Sequence, residues 1–189
     1  MGQIFELIAD SALTPLDDYY TECHVCDSTG IGLYAYQGRH YLADGTVDDD
    51  IYAVCASCIL TEKLAHSCDF EYIKTIDQYI SRQELSDSQK SALSIALIAK
   101  YQHTPGIPLF MQYEDRPLCC NDITEFTGHP TDREMLYHKT ENSIYWEKMI
   151  RAKPAIYNFR NSGSPENFRD VALFKCRHCK EQYFTFQFT

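Results

Sequence analysis

The residues best suited to chemistry in this sequence are cysteines, and six of its nine cysteines form three Cys-x-x-Cys pairs. The first two pairs together supply four thiols: Cys23, Cys26, Cys55 and Cys58. Two pairs with this spacing are typical of a closed tetrahedral zinc site, in which four thiolates surround one ion. Such a site stabilises a fold and leaves no coordination position for a substrate. The sequence therefore predicts a structural metal here rather than a catalytic one.

The third pair, Cys176 and Cys179, lies near the C-terminus and needs partners from elsewhere in the chain to close a site. The candidates are the remaining potential ligands with suitable side chains: Cys119, Cys120, Asp122, His129 and Cys68. Adjacent cysteines seldom bind one ion, so Cys120 with one further group is the favoured combination. The sequence leaves a second zinc open, because the alternative is a hairpin turn with two buried thiols.

The compartment follows from the N-terminus and from the hydropathy. Glu6 and Asp10 stand where a secretory signal would carry Lys or Arg. The longest apolar stretch, residues 92–99, is too short to span a bilayer. We therefore expect a cytoplasmic protein whose thiols bind metal rather than form disulfides. A pair of redox dithiols is the alternative interpretation of the first two pairs.

The elements that must position these cysteines are predicted to be of the α+β class. We expect one domain over residues 1–189, in which residues 19–68 form a zinc-ribbon-like subdomain that packs with helices. The 28 residues between the first two pairs are enough for a hairpin or a short ribbon. At the other end, residues 171–175 and 182–188 alternate in polarity and predict a β-hairpin with a phenylalanine face.

Helices are predicted from apolar periodicity and from capping signals. Residues 59–66 are expected to form a helix behind the first metal, and residues 71–82 form an amphipathic pattern. Ser86, followed by Gln89, is a capping-box signature for a helix that ends near Tyr101. Thr131 begins a similar signature, and its helix is predicted to extend as far as residue 149.

The net charge of −10 is unevenly distributed. Residues 1–90 hold 16 acidic and 5 basic side chains, whereas residues 91–189 hold 11 and 12. An acidic field around the first two cysteine pairs repels nucleic acid and attracts a basic protein. The likeliest contacts for such a partner lie in one acidic stretch: Asp44, Asp48, Asp49 and Asp50. The alternative is that the acidity serves solubility alone.

Catalytic motifs are missing from the sequence. There is no His-Glu-x-x-His, no Gly-x-Ser-x-Gly and no phosphate-binding glycine loop, so no catalytic residue is predicted. A zinc-dependent enzyme is nevertheless an alternative, because three ligands such as Cys120, Cys176 and Cys179 leave one coordination position open. A nucleic-acid-binding ribbon is a third interpretation, which the acidity around the first two pairs disfavours.

The order of the motifs carries further information. After the first two pairs come His103-Thr104-Pro105-Gly106, then Cys119-Cys120-Asn121-Asp122, and last Leu173-Phe174-Lys175-Cys176-Arg177-His178-Cys179. In this order they resemble the CbrC family of bacterial proteins, over roughly residues 13–185. That family is associated with tolerance to DNase-type colicins, so the resemblance implies a tolerance or immunity role. Where the family has His-Cys and a later Cys, this chain has Cys119-Cys120 and Thr124, which implies that one ligand of a second metal site is lost.

These observations combine into one leading hypothesis. We expect a non-catalytic, cytoplasmic zinc-binding protein that confers tolerance or immunity to a bacterial nuclease toxin. Nuclease toxins are basic because they bind phosphates, and an acidic surface would bind them quickly. Neither a nucleic acid nor a membrane is expected as a partner.

Overall fold

The computed structural model describes residues 2–36, 38–61, 64–66, 70–110, 112–147, 153–154 and 157–187. Cys68, one of the candidate ligands, lies outside these residues. The described chain is a mixture of helices and short strands, so the predicted α+β class is confirmed. Within the described residues, no helix combines the length and the apolar character needed to cross a membrane.

The N-terminal half consists of two small sheets that follow a 3-10 turn at Asp10–Ala12. Strand β1 (Leu33–Ala35) pairs antiparallel with β4 (Ala53–Cys55). The second sheet places β2 (Gly38–Tyr41) between β3 (Val47–Asp48) and β5 (Leu64–His66), again antiparallel. Four of these strands lie in the segment between the first two cysteine pairs, where the sequence predicts a hairpin or a short ribbon.

The helix predicted for residues 59–66 is wrong. Helix α1 (Ala56–Ile59) is a single turn that follows β4, and the chain then extends into β5. The free edge of β2 has backbone N–H and C=O groups that need partners, and β5 supplies them. Pairing with a neighbouring strand thus outweighs the local helical pattern.

Two helices follow and pack against each other: α2 (Phe70–Ser81) and α3 (Asp87–Gln102). The capping box is present, because Gln89 N donates to Ser86 Oγ and Ser86 N donates to Gln89 Oε1. Tyr72 and Tyr101 are buried between the helices, with ring centroids 4.9 Å apart. Both helices were predicted, and their bounds agree to within a residue or so.

The C-terminal half begins with a two-stranded hairpin, β6 (Leu118–Cys119) and β7 (Asp122–Ile123). It continues into a five-stranded sheet of order β10-β9-β12-β11-β8. In chain order its elements are β8 (Glu125–Gly128), α4 (Arg133–Glu141), β9 (Ile144–Tyr145), β10 (Lys153–Pro154), α5 (Phe159–Ser162), a 3-10 turn (Phe168–Asp170), β11 (Val171–Lys175) and β12 (Gln182–Phe186). All neighbours are antiparallel except β9 and β12.

The predicted C-terminal hairpin is confirmed as β11 and β12, whereas the helix predicted from Thr131 is shorter than expected. Asp132 caps α4 by accepting from Met135 N, and the helix ends at Glu141. The chain then forms β9, which continues the sheet beside β12. The aromatic and β-branched residues of β9 favour a strand in this position.

The five-stranded sheet separates two hydrophobic cores. On one face, Phe126, Phe174 and Tyr183 join the main core formed with the N-terminal half, α2 and α3. On the other face, Phe184 packs with Phe159 beneath α4 and α5. The phenylalanine face predicted for the last strand is the one that faces this second core. Because both faces are covered, the sheet provides a rigid base for the turn between β11 and β12.

Candidate metal centres

The first centre brings together the four thiols of the first two pairs, Cys23, Cys26, Cys55 and Cys58. Their sulfur atoms all lie within 4.8 Å of one another, and Cys26 Sγ lies 3.9 Å from Cys55 Sγ. Four sulfurs at 2.3 Å from a tetrahedral zinc ion would be about 3.8 Å apart. A disulfide would require about 2.05 Å. The predicted first site is therefore assembled with a spacing that fits a metal ion.

The first knuckle owes its shape to a tight turn. Asp27 N donates to Cys23 O (2.9 Å), and Cys23 N donates to Ser28 O (3.0 Å). Asp27 closes the turn with a φ of 55°, a conformation that Asp tolerates better than most residues. Cys55 N donates to Cys23 Sγ (3.4 Å), so a backbone amide from the opposite strand stabilises charge on that sulfur.

The second pair of the first centre lies where β4 passes into α1. Cys55 ends the strand and Cys58 lies in the single helical turn, and both are buried. Burial raises the pKa of Cys58, because water no longer solvates its thiolate. Exposed Cys26 differs: Ser28 Oγ lies 3.2 Å from its sulfur and donates to the thiolate, which lowers the pKa of Cys26 to about 6. A bound metal cation would compensate the negative charge of the buried thiolates.

The second centre contains Cys119, Cys120, Cys176 and Cys179, with all four sulfurs again within 4.8 Å of one another. Cys119 Sγ lies 3.5 Å from Cys179 Sγ and 3.7 Å from Cys120 Sγ. The structure therefore corrects two expectations. The adjacent cysteines do lie in one cluster, and the ligand set implied to be incomplete contains four thiols that could hold an ion.

The turn between β6 and β7 explains how two adjacent cysteines reach one site. Cys120 and Asn121 have φ values of 52° and 60°, as in the two-residue turns that suit β-hairpins. This left-handed turn reverses the chain directly after Cys119, so the two sulfurs lie on the same side. Asn121 tolerates this conformation, and the Asn that follows the two cysteines was the available sequence signal.

The C-terminal knuckle repeats the turn of the first one. Lys180 N donates to Cys176 O (3.1 Å), Cys176 N donates to Glu181 O (2.8 Å), and Lys180 has a φ of 68°. These three features correspond position by position to those at Cys23, Ser28 and Asp27. Two independent parts of the chain thus form the same metal-binding turn.

The remaining candidate ligands of the second site have other contacts. His129 lies away from the cluster, where its Nδ1 is 2.9 Å from Val171 O. Asp122 follows the β6–β7 turn but contacts basic side chains: Lys100 Nζ lies 2.7 Å from Oδ1, and His178 Nε2 lies 3.0 Å from Oδ2. Arg177 also donates to Asp122 Oδ2. Neither His129 nor Asp122 is therefore a ligand.

Asp122 is part of an ion network that surrounds the second centre. Arg177 and Lys100 both bind Glu6 as well, so the network joins the N-terminal segment, α3, the β6–β7 turn and the C-terminal knuckle. Burial by itself would raise the pKa of Asp122, but Lys100 and Arg177 outweigh it and lower that pKa. Asp122 is thus a permanent anion at neutral pH and holds two cations close to the thiols.

The two centres differ in their exposure. Cys26 alone is exposed at the first centre, whereas both Cys120 and Cys179 are exposed at the second. Burial raises the pKa of Cys119, while the backbone amide of Glu181 lowers that of Cys179 to about 7. All eight cysteines in the described part of the chain are free thiols.

The acidic residues predicted to contact a partner lie in and around β3, at one edge of the second sheet. Asp44 accepts from Thr46 N (2.9 Å) in a turn at which Gly45 has a φ of 83°. Asp48 belongs to β3 and accepts from Asp50 N (2.9 Å). Their role in binding stays a prediction.

Comparison with known proteins supplies a family and no more. The model of the Uncharacterised protein family (UPF0167) matches residues 11–188. No curated protein and no solved structure matches the chain.

Proposed function

Since the chain belongs to the Uncharacterised protein family (UPF0167), membership brings no activity with it, and we propose a function from the geometry instead. We propose a non-catalytic zinc-binding protein of the cytoplasm that binds a basic protein partner, a bacterial nuclease toxin, and so confers tolerance or immunity to it. The observation that carries the non-catalytic part is the presence of two clusters with four thiols each. Four protein ligands complete the tetrahedral coordination of zinc.

Zinc is the metal that best suits these donors. An all-thiolate tetrahedral set selects zinc or iron, and zinc is the usual ion when the pairs come from knuckles. At each site the zinc would be held by the four cysteines and would act by fixing the fold, with no redox chemistry of its own. The free thiols and the sulfur spacings support a reducing compartment, which is where we place the protein.

The alternative of a zinc-dependent enzyme rested on a three-ligand site at Cys120, Cys176 and Cys179. Cys119 supplies a fourth sulfur, 3.5 Å from that of Cys179, so the open position on which the alternative depends is filled. The geometry thus favours the non-catalytic proposal.

Metal analysis tests this part of the proposal. We expect about two zinc ions per purified chain, both slow to exchange with a chelator. Cys119→Ser should reduce the content to about one. Retention of two tightly held ions in Cys119→Ser would show that Cys119 is not a ligand, and would restore the open site.

The first centre lies in the part of the protein best suited to a basic partner. Residues 1–61 contain ten acidic side chains and one basic side chain, and a tetrathiolate zinc would add negative charge. Exposed aromatic residues border the knuckle: Tyr19 is 84% exposed, and the Tyr20 ring lies 5.3 Å from that of Tyr52. Tyrosines are enriched at protein interfaces and attract Lys and Arg through their ring faces.

The toxin part is tested by measuring association with purified nuclease domains of DNase-type colicins. We expect a complex whose association slows as salt rises. Asp49→Lys with Asp50→Lys should slow association about tenfold at low salt, because it reverses charge where the partner docks. Asp48 is left intact because it accepts from Asp50 N.

The control is a second double variant that changes the net charge by the same amount at positions outside the acidic stretch. Glu84→Lys with Glu166→Lys alters two exposed acids outside the stretch from Asp44 to Asp50. An equal loss of rate in both double variants would remove the acidic stretch as the docking site. The absence of a complex with every domain tested would refute the toxin role and leave the zinc centres untouched.

A further inference from the structure

A cleft of about 400 Å³ lies away from both cysteine clusters. Four segments form it: the end of the N-terminal 3-10 turn with the chain after it, the loop that follows α3, β8 with the residue after it, and the 3-10 turn before β11. Its volume is within the range of small-molecule sites. None of the described cysteines lines it, so the metal centres do not account for it.

The walls of the cleft are apolar. Phe126 is 1% exposed and forms part of the base, while Ile107 and Pro108 line one side. Leu109 stands at the rim with 57% of its surface exposed. An apolar ligand body would cover Leu109 and gain the hydrophobic contact that water does not give.

His129 lines this cleft and has an unused acceptor. Its Nδ1 must donate to Val171 O (2.9 Å), because a carbonyl oxygen only accepts. In the neutral ring, Nε2 is then a lone-pair acceptor, and no partner for it occurs among the described residues. The ring is also held edge-on against Phe126, with centroids 5.1 Å apart. The imidazole is therefore fixed in one orientation before any ligand arrives.

Arg169 supplies the charged group. Arg169 lines the cleft and has no ion-pair partner within the described ranges, while its backbone N donates to Asn167 Oδ1 (3.0 Å). A guanidinium binds a carboxylate with two parallel hydrogen bonds. Asp170 also lines the cleft, and its negative charge disfavours a ligand with more than one anionic group.

We propose that this cleft binds a small monocarboxylate with an apolar body and a hydroxyl group. Arg169 binds the carboxylate, the walls formed by Ile107, Pro108 and Leu109 enclose the body, and the hydroxyl donates to His129 Nε2. This site is independent of the metal centres and of the acidic surface.

The test uses a defined probe set and nuclear magnetic resonance of the ¹⁵N-labelled imidazole. The probes are 3-(4-hydroxyphenyl)propionate, 4-hydroxyphenylacetate and 4-hydroxybenzoate, which differ in the distance from hydroxyl to carboxylate. Their matched analogues lack either the hydroxyl or the carboxylate. We expect at least one hydroxy acid to bind with a Kd below about 1 mM and to shift the Nε2 resonance of His129. Both analogues should bind at least tenfold more weakly.

Two substitutions separate the two polar contacts. Arg169→Gln should weaken binding about tenfold or more, whereas Arg160→Gln, which alters an arginine paired with Glu141, should not. His129→Asn retains a donor for Val171 O but removes Nε2, so it should abolish the preference for the hydroxylated probe alone. Failure of all three hydroxy acids to bind at 10 mM would overturn the proposal, as would unchanged affinity in Arg169→Gln.

Discussion

In each of the two metal centres, two of the four sulfurs come from the same kind of turn, and the other two come from different local structures. In each, a knuckle with an i→i+4 amide bond and a left-handed closing residue supplies two sulfurs. At the first centre the other two come from a strand–helix junction, and at the second from a hairpin turn with adjacent cysteines. The same metal-binding turn can therefore be completed by unrelated local structures.

Their electrostatic surroundings differ. The first centre lies in a segment with ten acids and one base, where the groups that contact its sulfurs are backbone amides and serine hydroxyls. The second has Arg177 and His178 inside its knuckle, held with Lys100 around Asp122. A tetrathiolate zinc thus strengthens the negative field at the first centre, whereas at the second it adjoins a network in which Arg177 and Lys100 balance Asp122 and Glu6. We infer that the first centre serves a binding surface and that the second ties distant segments together.

The largest expected effect is on the first centre. Cys55→Ser should remove one zinc and abolish cooperative folding of the N-terminal half. The strands there have two to four residues, which gives them little stability without the metal. Zinc content and amide exchange would measure this. Native protection of β1 and β4 in the one-zinc variant would contradict it.

The matched change at the second centre should have a smaller effect. Cys176 is buried like Cys55, and Ser replaces sulfur by oxygen in both cases. Cys176→Ser should also remove one zinc, but β11 and β12 pair over five residues within a sheet covered on both faces. We expect a lower Tm with the C-terminal sheet still folded. A variant that unfolds as completely as Cys55→Ser would remove the distinction between the centres.

A smaller loss of stability is expected when the ion network around Asp122 is disrupted. Asp122→Asn keeps the bond to Ile123 N but removes the buried one of the two anions that Lys100 and Arg177 share, and leaves only the half-exposed Glu6. We expect a loss of about 2 kcal/mol in the free energy of unfolding, because the cations are partly buried. Glu71→Gln, which alters an exposed pair with Lys74, should cost less than about 0.5 kcal/mol. Urea titration compares the two variants, and equal losses would show that the network is not special.

The pH dependence of this difference has a defined sign. The pKa of Asp122 is lower in the folded protein than in the unfolded chain. Its contribution is therefore complete above the unfolded pKa of about 3.9 and is lost as the pH falls through the folded value. Wild type and Asp122→Asn share the same thiols, so their difference in stability should be constant from pH 7 to about 5 and shrink below about 4.

The elements that depend on local residues could be predicted from the sequence, whereas those that depend on distant contacts could not. Helix α3 was predictable because Ser86 and Gln89 are local, and the first cluster because its two pairs have a recognisable spacing. Cys119 was among the candidates but was set aside in favour of Cys120, because its place in the cluster depends on the left-handed turn at Cys120 and Asn121. The strand β5 was missed because its partner β2 lies more than twenty residues earlier.

A smaller effect sharpens the electrostatic comparison. Cys26 and Cys179 are both exposed, and the pKa of each is lowered, to about 6 and about 7. Both are therefore largely or substantially thiolate at neutral pH even without a metal, and zinc-bound cysteines are thiolates in any case, so thiolate fraction does not distinguish the two in the zinc-loaded protein. Local charge does distinguish them for an anionic reagent. Arg177 and Lys180 flank Cys179, whereas Asp27 follows Cys26 directly.

The zinc-loaded protein should thus react with the dianion of Ellman's reagent at Cys179 about threefold to tenfold faster than at Cys26, with zinc released first from the second centre. N-ethylmaleimide, which is neutral, should lose this preference, and 0.5 M salt should reduce it for the anionic reagent because screening shortens the range of the charges. Mass spectrometric mapping at partial modification gives both rates. Faster modification of Cys26 by the anionic reagent would mean that the surrounding charge does not distinguish the centres, and the division of roles between them would then rest on exposure alone.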